Sequence, residues 1–142
     1  MIKIYERNRA KPIGEWTDVA FTAGDFTSVG GGSSWTLQSG DVTTFAYAQV
    51  GKTVSLSLQL STTTIAGTPS QLLVLLPGSM VSARDMETQA FYADTNTGER
   101  IPCRMFVGAG GTHVQFFRND GGNWANSTNT AYFFGTLTFS IQ

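Results

Sequence analysis

Between Thr43 and Leu60, polar and apolar residues alternate on both sides of a Gly51-Lys52 pair, and this pattern restricts the chain to a β-hairpin. Glycine at the first central position suits a type II′ turn, whose twist matches that of the strands it joins. The register follows. With Val50 opposite Thr53, Tyr47 falls opposite Leu56 and Phe45 opposite Leu58. One face then carries Phe45, Tyr47, Val54, Leu56, Leu58 and Leu60 and is expected to be the core side. The reverse face carries Ala46, Ala48, Val50, Thr53, Ser55, Ser57 and Gln59. It lacks the Lys and Glu of a freely solvated sheet, so another sheet, a loop or another subunit can approach it closely.

The remaining segments also read as strands and turns. A first strand is expected from Trp16 to Thr22, then a flexible connection through Gly24-Asp25 and the glycines at 30–32, then a strand around Trp35 and Leu37. Leu72 to Leu76 is apolar on both faces, as expected of a strand with the core on one side and a second covering layer on the other. Pro77-Gly78 stops it, and residues 79–86 fit either a loop or a short helical turn. Further strands are expected at Thr88–Ala93, Arg100–Val107 and Thr112–Arg118, with turns at Thr95–Gly98 and at the glycine-rich 108–111. Asn119 to Thr130 reads as a long polar loop and Ala131 to Ile141 as the last strand. No segment has a useful helical period. Eight or nine short strands with glycine-rich turns imply an all-β fold, an antiparallel β-sandwich with a jelly roll as the leading topology.

Residues 1–14 stand apart as an extended amino-terminal arm, leaving 15–142 as a single β-sandwich domain. The arm holds four of the nine basic residues, Lys3, Arg7, Arg9 and Lys11, together with Pro12 and Gly14, which disfavour a stable helix or a central strand. Ile2, Ile4 and Tyr5 are interleaved with these charges. That mixture is poor for independent folding and suited to adding a strand to, or lying along, another protein; a disordered tail is the competing reading.

Composition excludes several classes of function. A chain of 142 residues buries about two thirds of the surface its unfolded form exposes, so it needs neither metal nor disulfide to fold. Charged residues make up 13% and the net charge is -1, so the uniformly basic face that would neutralise many phosphates is missing and no nucleic-acid partner is expected. Cys103, the single cysteine, has no partner for an intrachain disulfide. The opening MIKIYERNRAK lacks the apolar core of a secretory signal, and no run reaches the length of a membrane span. Synthesis and folding in a cytoplasm, with no membrane partner, are therefore expected.

Candidate chemistry is sparse. Any Ser-His-Asp or Cys-His mechanism must use His113, the only histidine, yet no local motif supplies a base and an orienting group, so it reads as a strand or interface residue. Cys103, between Pro102 and Arg104, reads as a small buried apolar residue. One Cys and one His do not make a zinc site within one chain. Asp18, Asp25, Asp41, Asp85, Asp94 and Asp120 are dispersed along turns, and a glycosidase pair would have to assemble from distant loops. The glycine clusters do not follow a strand and open a helix, so they are turn glycines and not a phosphate loop. Asp120 and Asn123 offer calcium ligands, although Asp/Asn/Gly clusters more often simply make turns. No catalytic residue, cofactor or metal is assigned. Trp124, in the polar loop, either anchors a sugar ring or partner surface with Asn119, Asp120 and Asn123, or folds back to close the end of the core; the burial habit of tryptophan favours the second.

Two stretches carry a family resemblance. SGDVTTFAYAQVGKTVSLSLQLSTTTIAGTPSQLLVLLPG runs through an aromatic-bearing strand, a Val-Gly-Lys turn, an alternating strand, Thr-Thr-Thr, and Gly-Thr-Pro before an apolar strand. Together with the ending WANSTNTAYFFGTLTFSIQ, it resembles small β-sandwich domains encoded by tailed phages and prophages. The resemblance covers most of residues 33–142, is weak from 79 to 110, and rests on strand and turn patterns. It implies a homotrimeric knob on the virion surface, as in fibre heads and in small capsid decoration or cement proteins, and no active site. The chain departs from the fibre pattern in having no coiled-coil or β-helical shaft, only the short arm. The expectation is therefore a non-enzymatic decoration protein whose arm residues Lys3, Tyr5, Arg7, Arg9 and Lys11 contact other virion proteins, the major capsid protein first among them. The alternative is a receptor- or carbohydrate-binding head that meets a cell-surface glycan through Asn119, Asp120, Asn123 and Trp124. A depolymerase-type enzyme with dispersed carboxylates is a third class.

Overall fold

The computed structural model describes residues 14–142. The arm residues Lys3, Tyr5, Arg7, Arg9 and Lys11 lie outside them. The described chain is almost entirely antiparallel β: β1 (Trp16–Asp18), β2 (Phe26–Val29), β3 (Ser34–Thr36), β4 (Val42–Val50), β5 (Thr53–Ala66), β6 (Gln71–Leu75), β7 (Met86–Asp94), β8 (Glu99–Val107), β9 (His113–Arg118) and β10 (Ser127–Ser140). Hydrogen bonding orders them β1-β4-β5-β10-β7-β8-β9-β6-β2, with β3 paired to β5. This continuous sheet curls over one core, a jelly-roll-like sandwich. No helix among the described residues is long and apolar enough to cross a membrane.

The β4–β5 hairpin has the expected register, with Val50 opposite Thr53, Tyr47 opposite Leu56 and Phe45 opposite Leu58. Of its two turn residues Gly51 alone has positive φ, 60°, as a type II′ turn requires. Val54, Leu56, Leu58 and Leu60 are buried, as is Phe45, while Tyr47 at the rim is half-buried. On the reverse face Ser55 bonds Thr138 at 2.9 Å and Thr136 bonds Ser57 at 3.3 Å, so short hydroxyls pair across β5 and β10.

Several expected boundaries move. β5 continues past Leu60 because its Thr-rich stretch bends and keeps pairing: the β10 register slips between Ala131–Thr63 and Phe133–Leu60, and Thr62 takes φ 51°. Asp41 holds the bend, accepting from the Thr62 hydroxyl and, at 2.7 Å, from the Gln38 amide. β10 likewise begins at Ser127, so the polar loop ends earlier than Thr130. The first strand stops at Asp18, and Phe26–Val29 forms a separate strand against β6 that the surrounding glycines conceal in sequence. Residues 79–86 form no helical segment of their own: Pro77–Ser79 makes a 3-10 turn, and Ser82 bridges to Ile141.

The core joins the two halves of the curl. Phe133 of β10 lies 5.1–5.4 Å, ring centre to ring centre, from Trp35, Tyr92, Phe116 and Trp124. Aromatic residues from β3, β7, β9 and the loop after β9 thus converge on one side chain. On β6, Leu72 and Val74 are buried in this core. Their outward neighbours differ from expectation: Leu73 is half-buried and Leu75 is 37% exposed, so no second layer covers that face among the described residues.

Candidate functional site

The residues proposed for chemistry separate in space. Cys103 is fully buried on β8 opposite Arg118, whereas His113 begins β9 at its other end, opposite Leu75, and its Nδ1 lies 3.0 Å from the Thr112 hydroxyl. A Cys-His couple is therefore not assembled. Burial pushes the Cys103 thiol up to about 12, which disfavours the thiolate a nucleophile needs. The carboxylates are mostly committed to backbone amides: besides Asp41, Asp94 accepts the Asn96 amide of its own turn at 2.8 Å, and Asp85 the Ala109 amide of the distant 108–111 turn at 2.7 Å. Among the described residues no three His, Cys, Asp or Glu side chains converge as a metal site.

The turn after β9 is organised by Arg118. Its Nη2 donates to Glu99 at 3.1 Å and to Asp120 at 3.0 Å, its Nε reaches Asp120 at 3.2 Å, and the guanidinium lies 5.9 Å from the Trp124 ring centre. The Asp120 carboxylate also accepts the Gly122 amide at 2.9 Å. The Arg118 hydrogen bond, seconded by that amide, holds the Asp120 carboxyl below its usual range. These oxygens are committed to the turn, so the calcium-ligand reading of Asp120 and Asn123 gives way to the turn reading.

Trp124 closes the end of the core. It is fully buried, its Nε1 donates to the Phe116 carbonyl at 3.3 Å, and its amide donates to the Pro69 carbonyl at 2.8 Å. Its ring has no solvent-facing surface on which a sugar could stack, which corrects the glycan-anchor reading of this residue. Tyr92 packs 4.9 Å from it, with a hydroxyl that has no hydrogen-bond partner among the described residues. Burial first, then the charges of Asp94 and Glu99, push the Tyr92 hydroxyl pKa up.

Of the remaining loop residues, Asn119, Asp120 and Asn123 are exposed, and Asn119 reaches a concave surface. It borders an open cleft of about 450 Å³ together with Glu87, Gln89, Arg104 and Arg118. None of these four was singled out from sequence, although alternation along β7 and β8 marks Glu87, Gln89 and Arg104 as outward-facing. A second, more apolar groove of about 710 Å³ runs between Val19–Ala20 and the Leu75–Val81 segment, with Asp25 on its edge. Comparison with family models, curated proteins and solved structures gave no match.

Proposed function

We propose that this protein is a non-enzymatic structural component of a phage virion, a homotrimeric capsid decoration protein that docks through its amino-terminal arm. The observation that carries this reading is the character of the outward sheet faces. Across β4, β5 and β10, Ala48, Ser55, Ser57, Thr136 and Thr138 form a surface without a charged side chain, and Asp18 of β1, opposite the buried Ala46, stands at its edge. Phe91 and Phe134 stack 5.9 Å apart beside it, with Phe91 38% exposed. Elsewhere Val29 and Leu75 are exposed on β2 and β6. A soluble monomer would normally carry charge there; copies of the same chain provide a matching uncharged cover, and a closed ring can use two different patches per subunit.

The basic arm supplies the docking element under this reading, and the family resemblance supplies the virion setting. Co-sedimentation with purified particles tests it. Full-length protein is expected to pellet with particles, and protein lacking residues 1–14 to remain in the supernatant while keeping its thermal unfolding transition. Equal binding by both would reject arm docking. The second reading, a carbohydrate- or receptor-binding head, loses Trp124 as an anchor and retains Asn119 at the cleft.

A further inference from the structure

Alternation on three neighbouring strands places Glu87 and Gln89 of β7, Arg104 of β8 and Phe117 of β9 on the outward face. Gln89 sits directly opposite Arg104, and Arg104 directly opposite Phe117. The Arg104 guanidinium lies 5.2 Å from the Phe117 ring centre, an arrangement that favours a planar cation resting on an aromatic face. Asn119 and Gly121 of the following turn border the same cleft. The cleft thus combines the guanidinium groups of Arg104 and Arg118, two carboxamides and the Glu87 carboxylate, planar donors and acceptors of the kind that engage adjacent hydroxyls in pairs.

Its charge argues against an anionic ligand. Arg118 is already bound by Glu99 and Asp120. Arg104 pairs with Glu87 at 3.2 Å, with the two side chains 45% and 49% exposed. So exposed a pair contributes little to stability, and each partner can turn to a bound ligand at small cost. With Arg104 and Arg118 both paired to carboxylates, the surface offers polar groups without a free positive charge and an open approach.

We propose that this cleft binds neutral carbohydrate, with one hexose unit of a longer glycan lying between Gln89, Arg104 and Asn119. The proposal extends the carbohydrate-binding reading of the loop to a different set of residues. It does not depend on docking to a particle, so sugar binding and co-sedimentation fail or succeed separately.

Full-length ¹⁵N-labelled protein titrated with methyl glucoside, galactose and N-acetylglucosamine, and with glucuronate as an acidic comparator, tests the site by NMR. At least one neutral sugar is expected to shift the Gln89, Arg104, Asn119 and Gly121 signals saturably, with Kd on the order of 1–10 mM for so small a polar ligand. Gln89→Ala and Asn119→Ala, both at exposed positions, are each expected to weaken binding about fivefold with core resonances unmoved. The proposal is overturned if no neutral sugar shifts these signals saturably, if glucuronate alone does so, or if neither substitution weakens binding.

Discussion

Trp124 illustrates how a residue in a polar loop can be structural. Its indole donates to a β9 carbonyl and packs on Tyr92 and Phe133, so truncation removes both a large buried volume and a cap on the end of the core. Trp124→Ala is expected to cost about 3–5 kcal/mol in denaturant unfolding, comparable with about 2–5 kcal/mol for Leu58→Ala or Phe139→Ala. A loss below 1 kcal/mol would contradict its role as a plug. Cys103 gives a pH prediction. Its thiol ionises near 9.0 in an unperturbed chain but at about 12 in the fold, so the unfolded state loses the proton first as pH rises. The stabilisation from keeping the thiol neutral is complete below pH 9.0 and is lost as pH climbs toward 12. Tyr92, also shifted upward, acts in the same direction above pH 10.0. Urea midpoints should therefore fall in alkali, less steeply for Cys103→Ala, and native Cys103 should resist a thiol reagent until the protein unfolds. An identical alkaline slope in the two proteins would remove Cys103 from the account.

At the scale of elements, the hairpin was legible because its alternation is unbroken and its turn glycine is unambiguous. The bend in β5 was not: it depends on Asp41, in the turn before β4, reaching Thr62 of β5, a contact across 21 residues with no local sequence signal. β2 was missed because four residues between glycine-containing turns carry too little pattern, although pairing with β6 suffices to order them. The loop aromatic could be weighed from the burial habit of tryptophan, but the cleft could not be seen, since it requires the register of β7 on β8. Gly135 marks another such contact. A Cβ there would stand 2.7 Å from the Met105 sulfur and 2.9 Å from the Ala90 Cβ, so the strands approach too closely for a side chain. Gly135→Ala is expected to destabilise by about 1–3 kcal/mol through overpacking, measured by chemical denaturation. A neutral or stabilising effect would mean that Met105 moves aside freely.

For the whole molecule, the outward faces decide between a solitary domain and an assembly. An interface of ordinary size buries about 800 Å² per partner, an area that a sheet face of several strands can supply. Placing a charge on such a face should disrupt assembly without unfolding, because the affected side chains are exposed in the single chain. Thr138→Lys and Leu75→Lys test the two faces separately by sedimentation velocity. At least one is expected to shift the protein toward monomer while its far-UV circular dichroism is unchanged; trimers of normal stability from both would place the contact elsewhere. The most direct measurement of the central claim is native mass spectrometry of the unmodified full-length protein at micromolar concentration. A trimer of the 15.3 kDa chain is the expected species, and a stable monomer would contradict the assembly on which the proposed function rests.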